Sequence, residues 1–274
     1  MANVNRNVLP GFSLSLGYTT AYLSVLVLLP IAAVFVKAST LSSHDFWAAV
    51  WNSRARAAYA LTFGAALISS LVTLVLGTAI AWVLVRYRFA GRRIIDSLID
   101  LPLALPTAVA GLVYASLYAP KGWLGRFLVP IGIHGAYSRL GIVLVLVFVG
   151  LPFVVRTAQP VLENLDPEVE EAAASLGGSR WQTVRLVILP QLLPALITGF
   201  ALSLARAIGE YGSVVFISGN LPYKTEIAPF LIVTRLDEFA YGEATAIAVV
   251  LLVISFAMLI AINFLESWSR RRAR

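Results

Sequence analysis

Reactive side chains are sparse in this chain, and few of them stand close together. There is no cysteine, and the two histidines, His44 and His134, are ninety residues apart. That distribution removes disulfides, thiolate metal sites and any His/Cys ligand cluster, and it offers no Ser-His-Asp set. No GxxxxGK[ST] phosphate loop occurs, so the chain is expected to hydrolyse no ATP, to hold no metal and to bind no cofactor of its own. Two places remain. Arg206 and Glu210 are one helical turn apart in an otherwise apolar stretch. Asp166, Glu168, Glu170 and Glu171 crowd the start of residues 165–190, LDPEVEEAAASLGGSRWQTVRLVILP. The first place suits charge handling inside a membrane, where each ionised group costs roughly 2.5–3.5 kcal/mol at the bilayer centre. The second suits protein docking better than catalysis.

The elements that must position these residues are membrane spans. The chain of 274 residues is 59% hydrophobic and only 13% charged, against roughly 25% charged in soluble domains. Runs long enough to cross about 30 Å of hydrocarbon fall near 15–37, 58–85, 101–119, 139–158, 191–217 and 243–265. They predict an all-α integral membrane protein of about six transmembrane helices, with residues 1–274 forming one membrane domain. The first run holds too long an apolar stretch for a cleaved signal peptide, whose core is about 7–15 residues. Basic residues in short loops mark the cytoplasmic side. The arginine clusters at Arg86–Arg93 and Arg270–Arg274 share a side when both termini are cytoplasmic. Topology and contact with lipid head groups therefore account for the net charge of +7 without nucleic acid.

Residues 165–190 do not read as a loose loop. Asp166 is a good N-cap and Pro167 fits the first helical position. Glu168, Glu170 and Glu171 then meet the positive end of the helix dipole. Val169, Ala172, Ala173 and Leu176 form an apolar stripe, with Glu168, Glu171 and Ser175 opposite. Gly177-Gly178 ends this helix. Ser179 with Gln182 forms a capping box for a second one, whose face carries Trp181, Val184 and Ile188. Pro190 is expected to close the unit. A short helix, a tight turn and another short helix on the cytoplasmic side present small alanines and acids to a docking partner.

This segment resembles the EAA loop of bacterial ABC importer permeases: Glu-Ala-Ala, three residues, Gly, nine residues, Ile, any residue, Leu-Pro. The chain has Glu171-Ala172-Ala173, Gly177, Val187 in place of Ile, and Leu189-Pro190. The resemblance implies the type I ABC importer permease fold. It also implies that Glu168, Glu171, Ala172, Ala173, Gly177, Leu189 and Pro190 couple the spans to an ATPase. Over residues 86–112, 151–162, 206–220 and 224–247 the chain is similar to the T-type permease subunits of sulfate/thiosulfate importers. That implies a bacterial-type cytoplasmic (inner) membrane and a second permease of the W type. It further implies an ATPase dimer that uses ATP and Mg, and a periplasmic or extracellular sulfate-binding protein. Molybdate permeases share the Gly-Glu-aromatic-Gly segment, here Gly209-Glu210-Tyr211-Gly212. A molybdate/tungstate permease thus stays open as an alternative, as does a non-transporting membrane scaffold. Arg206 and Glu210 have two readings as well. They form a structural ion pair locking the fifth span, or Arg206 faces the translocation pathway and Glu210 keeps it from holding a dianion too tightly.

Overall fold

The computed structural model describes residues 11–272, with side chains to residue 264. Arg6 and the side chains of the cluster at 270–274 fall outside it. Among the described residues every regular element is helical. Phe12–Ala38 (α1) is followed by Ser43–Val50 (α2) and the long Ser53–Arg86 (α3). Ser42 and Asn52 cap α2 and α3 by accepting from the amides of Asp45 and Ala55, at 3.1 and 2.8 Å. Arg92–Ile99 (α4), Leu101–Ala104 (α5), Thr107–Tyr118 (α6) and Gly125–Leu128 (α7) lead to Arg139–Glu163 (α8). Pro167–Ser175 (α9), Arg180–Ile208 (α10), Gly212–Ile217 (α11), Ala228–Asp237 (α12) and Tyr241–Arg272 (α13) complete the chain.

Five helices, α1, α3, α8, α10 and α13, are long and apolar enough to cross a membrane. At the sixth place the chain is broken. Pro106 restricts Leu105 to an extended conformation, with ψ at 137°. The expected span 101–119 thereby divides into α5 and α6, and the 12 residues of α6 rise only about 18 Å.

The expected span 191–217 also differs. Helix α10 begins earlier, at Arg180, and runs through Pro190 instead of closing there. It accommodates the proline with a π-helical stretch at Val184–Ile188, in which Leu189 N–H reaches Val184 O. The same solution appears in α1, where Ser24–Leu28 is π-helical just before Leu29-Pro30. A proline removes one backbone donor, and widening the turn before it lets the helix continue. At its other end α10 stops at Ile208, and α11 begins only at Gly212.

The core is the trio α3, α8 and α10, with α6 and α11 packed together beside it. Ala66, Ile142, Val145, Leu204 and Ile217 are buried where these helices meet. Small residues let the backbones approach closely, the usual basis of helix association in membranes. A Cβ on Gly150 would lie 2.4 Å from Ser203 Oγ, and one on Gly111 of α6 only 2.2 Å from the Ser213 carbonyl in α11. Helix α1 stands apart, since nothing in Phe12–Leu28 is buried. Only its second half packs on α13.

Candidate functional site

Two regions carry the residues singled out above. The first is the elbow between α8 and α10. Asp166 caps α9 by accepting from Glu168 N–H at 3.0 Å. At the other end Gly178 N–H reaches Ala173 O at 3.0 Å and Gly177 N–H reaches Ala174 O at 2.9 Å. Those two bonds make a Schellman closure, which needs a left-handed residue at Gly177, and its φ is +81°. Ser179 then starts α10 with both halves of a capping box, Gln182 N–H to Ser179 Oγ and Ser179 N–H to Gln182 Oε1. The turn is therefore set by hydrogen bonds within a dozen residues.

The elbow presents Leu176 and Trp181 outward, whereas Ile188 of its expected apolar face is buried and Val184 packs beside it. Leu176 is 90% exposed and Trp181 70% exposed. No residue of α9 is buried, so the expected stripe of Val169, Ala172, Ala173 and Leu176 has no intramolecular core to face. Glu168, Glu171 and Ala172 are exposed, as are Leu189 and Pro190, and Ala173 is half-buried. Ala173, Leu176, Gly177, Gln182 and Leu186 line a shallow hollow inside the bend. The acidic side is tied down at one point: the carboxylate of Glu170 accepts from Arg86, the last residue of α3.

The second region is the junction of α10 and α11. Arg206 and Glu210 form an ion pair at 2.6 Å, with side chains 35% and 1% exposed. Glu210 does more than neutralise Arg206. Its Oε1 accepts from Ser213 N–H and Ser213 Oγ, each at 2.9 Å. The carboxylate thus caps the first turn of α11 while its other oxygen holds the end of α10. Glu210 lies in the break itself, one residue past the C-cap Gly209. Arg206 shares the outward face of α10 with Leu202 and Gly209, both exposed.

Three charged groups important to the geometry escaped the sequence reading. Arg156, inside α8, donates to Asp96 at 2.6 Å, to both Asp100 oxygens at 2.9 and 2.6 Å, and to Gln159 at 2.7 Å. Its guanidinium holds the Asp100 carboxyl below the usual carboxylate range. Arg54 grips the buried Glu226 with two bonds of 2.8 and 2.7 Å. Arg86 with Glu170 is the third. Their acidic partners are 56 to 172 positions away, and no local pattern links such residues. His44 and His134 take part in neither region, and no group of three metal-ligating residues occurs among the described residues.

Residues 73–274 match the family model described as "Binding-protein-dependent transport system inner membrane component". The chain is 48% identical over 272 residues to the sulfate transport system permease protein CysT of Salmonella typhimurium, covering 99% of this chain and 98% of the relative. It is 51% identical over 255 residues to the protein of the same name from Synechocystis, covering 93% and 89%. Among solved structures, a bacterial ABC transporter involved in import of the acidic polysaccharide alginate superposes with a TM-score of 0.77. It shares 16% identity, with 94% of each chain covered. The MetNI methionine ABC transporter superposes with a TM-score of 0.56 at 17% identity, covering 85% of this chain and all of that one. At those identities the structures speak to the fold, and the fold is that of the type I ABC importer permeases. With its long apolar helices and its family match over most of its length, the chain belongs to the inner membrane components of binding-protein-dependent transport systems, the permease subunits of ABC importers.

Proposed function

We propose that this chain is one of two permease subunits of an ATP-driven importer of sulfate, with thiosulfate as a second substrate. The observation that carries the transport reading is the elbow at 166–190. It is rigidly specified by its own caps, yet it leaves Leu176 and Trp181 in the open. A large exposed apolar patch on a hydrogen-bonded frame is the usual mark of a protein partner. The ATPase dimer on the cytoplasmic side is that partner. Glu168, Glu171, Ala172, Ala173 and Gly177 form the contact, while Leu189 and Pro190 pass its movement into α10. The choice of sulfate follows the full-length kinship with sulfate permeases.

The second permease, of the W type, covers the outward face of α10. Leu202 lies exposed one turn before Arg206 on that face. A half-exposed arginine at this depth is costly against lipid, so the face belongs against protein or a water-filled path. Arg206 then meets the passing dianion, and Glu210 limits how tightly it is held. A sulfate-binding protein delivers the anion from outside, the ATPase hydrolyses ATP with the help of Mg, and both termini are cytoplasmic.

The test is ATP-dependent uptake of labelled sulfate into proteoliposomes holding this chain, its neighbouring permease, the ATPase and the binding protein. Uptake that thiosulfate inhibits supports the proposal. Uptake of molybdate in its place overturns the choice of anion and leaves the permease. Absence of any oxyanion uptake with the complex intact rejects sulfate import.

A further inference from the structure

The helix α4 leaves its apolar face uncovered. Asp96 and the C-cap Asp100 reach Arg156 of α8 at 2.6 Å each while staying part-exposed. On a helical wheel Ile94 and Leu98 lie opposite those acids, and they are 67% and 54% exposed. A helix facing only water keeps such an apolar face covered. The apolar surface does not stop at α4. It continues through the exposed Leu101 and Leu103 of α5 towards the spans.

The charge that remains here is positive on balance. Arg156 offsets one of the two carboxylates it bridges, and Glu170 offsets Arg86. Arg88, Arg92 and Arg93 have no ion pair among the described residues. They surround a hollow with Phe89 and Ile94 at the turn between α3 and α4. Arg88 stands two residues beyond the end of α3, at most about 7 Å of chain, so the hollow sits close to the end of a span.

We propose that α4 and its flanking arginines form a docking surface for anionic phospholipid of the cytoplasmic leaflet. The phosphate sits in the arginine hollow, and the acyl chains lie against Ile94 and Leu98. Basic residues beside an apolar helix face give this kind of attachment to a membrane surface. Continuity of the apolar face with the spans favours lipid over the ATPase, whose docking surface is the elbow. The inference rests on the cytoplasmic placement of this loop proposed above and is independent of the choice of anion.

The experiment is native mass spectrometry of the assembled importer purified from vesicles of phosphatidylcholine with phosphatidylglycerol, paired with thermal unfolding as phosphatidylglycerol is added. The wild type retains phosphatidylglycerol and unfolds at higher temperature with it. Each arginine near an anionic surface is worth roughly fivefold in binding, and the three together about a hundredfold. Arg93→Gln alone, which leaves Arg86, Arg88 and Arg92 to hold topology, is expected to lower retention roughly fivefold. The triple variant Arg88→Gln, Arg92→Gln, Arg93→Gln is expected to abolish it, with sulfate uptake in pure phosphatidylcholine unchanged. Undiminished retention in Arg93→Gln overturns the proposal. So does loss of the ATPase subunits from either variant regardless of lipid, which makes this an ATPase contact. A Ser97→Cys label, in a chain without native cysteine, checks the side. Labelling only from outside rejects the lipid proposal on its own terms, whatever sulfate uptake shows.

Discussion

Arg86, the last residue of α3, pairs with Glu170 in the first turn of α9, 84 positions further along the chain. Both side chains are 27% exposed. The pair ties the elbow to a span that is not its own continuation. If the ATPase docks at the elbow as proposed, a movement imposed on α9 would pull on α3 directly as well as along α10.

Breaking this pair is expected to cost little stability, about 0.2–1 kcal/mol, because water screens it. The coupling should suffer more visibly. Arg86→Gln or Glu170→Gln is expected to lower sulfate transported per ATP, by roughly fivefold if about 1 kcal/mol of coupling is lost. The exchange Arg86→Glu with Glu170→Arg should restore part of it. Uptake and phosphate release measured on the same vesicles check this, and no recovery in the exchange would argue against a direct pair.

The Arg206–Glu210–Ser213 set separates structure from transport. Glu210 is 1% exposed and serves three hydrogen bonds. Glu210→Ala leaves the part-exposed Arg206 without its partner and the buried amide and hydroxyl of Ser213 without an acceptor, a cost of about 1–3 kcal/mol. Thermal unfolding in detergent should show that loss. Arg206→Lys keeps the charge opposite Glu210 and should fold. If Arg206 meets the anion, its replacement by lysine lowers uptake without lowering the unfolding temperature. Wild-type uptake in Arg206→Lys and Arg206→Gln alike would leave the pair a purely structural lock.

The contact of α6 with α11 predicts a contrast between two glycines. A Cβ on Gly111 meets the backbone carbonyl of Ser213 at 2.2 Å, whereas one on Gly64 in α3 meets nothing within 4 Å. Gly111→Ala must push two helices apart, an overpacking cost of about 1–3 kcal/mol. Gly64→Ala should be neutral, or stabilising by up to about 1 kcal/mol through helix propensity. Unfolding of the two variants side by side decides the matter.

How far the sequence shows this fold depends on the reach of each signal. Asp166, Gly177 and the Ser179–Gln182 box cap helices through bonds spanning two to five residues, so their types and spacing suffice. Hydropathy likewise marks the long helices, because burial in lipid depends on composition. It misses the breaks at Leu105-Pro106 and Gly209–Tyr211, since averaging over a span hides one kinked turn. Pro106, Gly209 and Gly212 were the signals available there. Pro190 misleads in the other direction, because a π-turn before it lets the helix continue. The ion pairs of Arg54, Arg86 and Arg156 exist only once distant segments have packed. Glu170 reads from its neighbours as a charge at a helix dipole, and nothing nearby points to Arg86.

The coupling of sulfate import to ATP through the elbow is tested most directly at Gly177. Its φ of +81° suits glycine, and a Cβ there meets nothing within 4 Å, so a substitution changes the turn and not a packed neighbour. Left-handed backbone costs a larger residue about 1–2 kcal/mol. The measurement is sulfate uptake and ATP hydrolysis recorded together in proteoliposomes of the whole importer, with Gly177→Val against wild type. Sulfate uptake driven by ATP in the wild type, and its collapse in Gly177→Val while all subunits stay in the membrane, is the predicted result. Uptake and hydrolysis unchanged by Gly177→Val would contradict the elbow's role in driving transport.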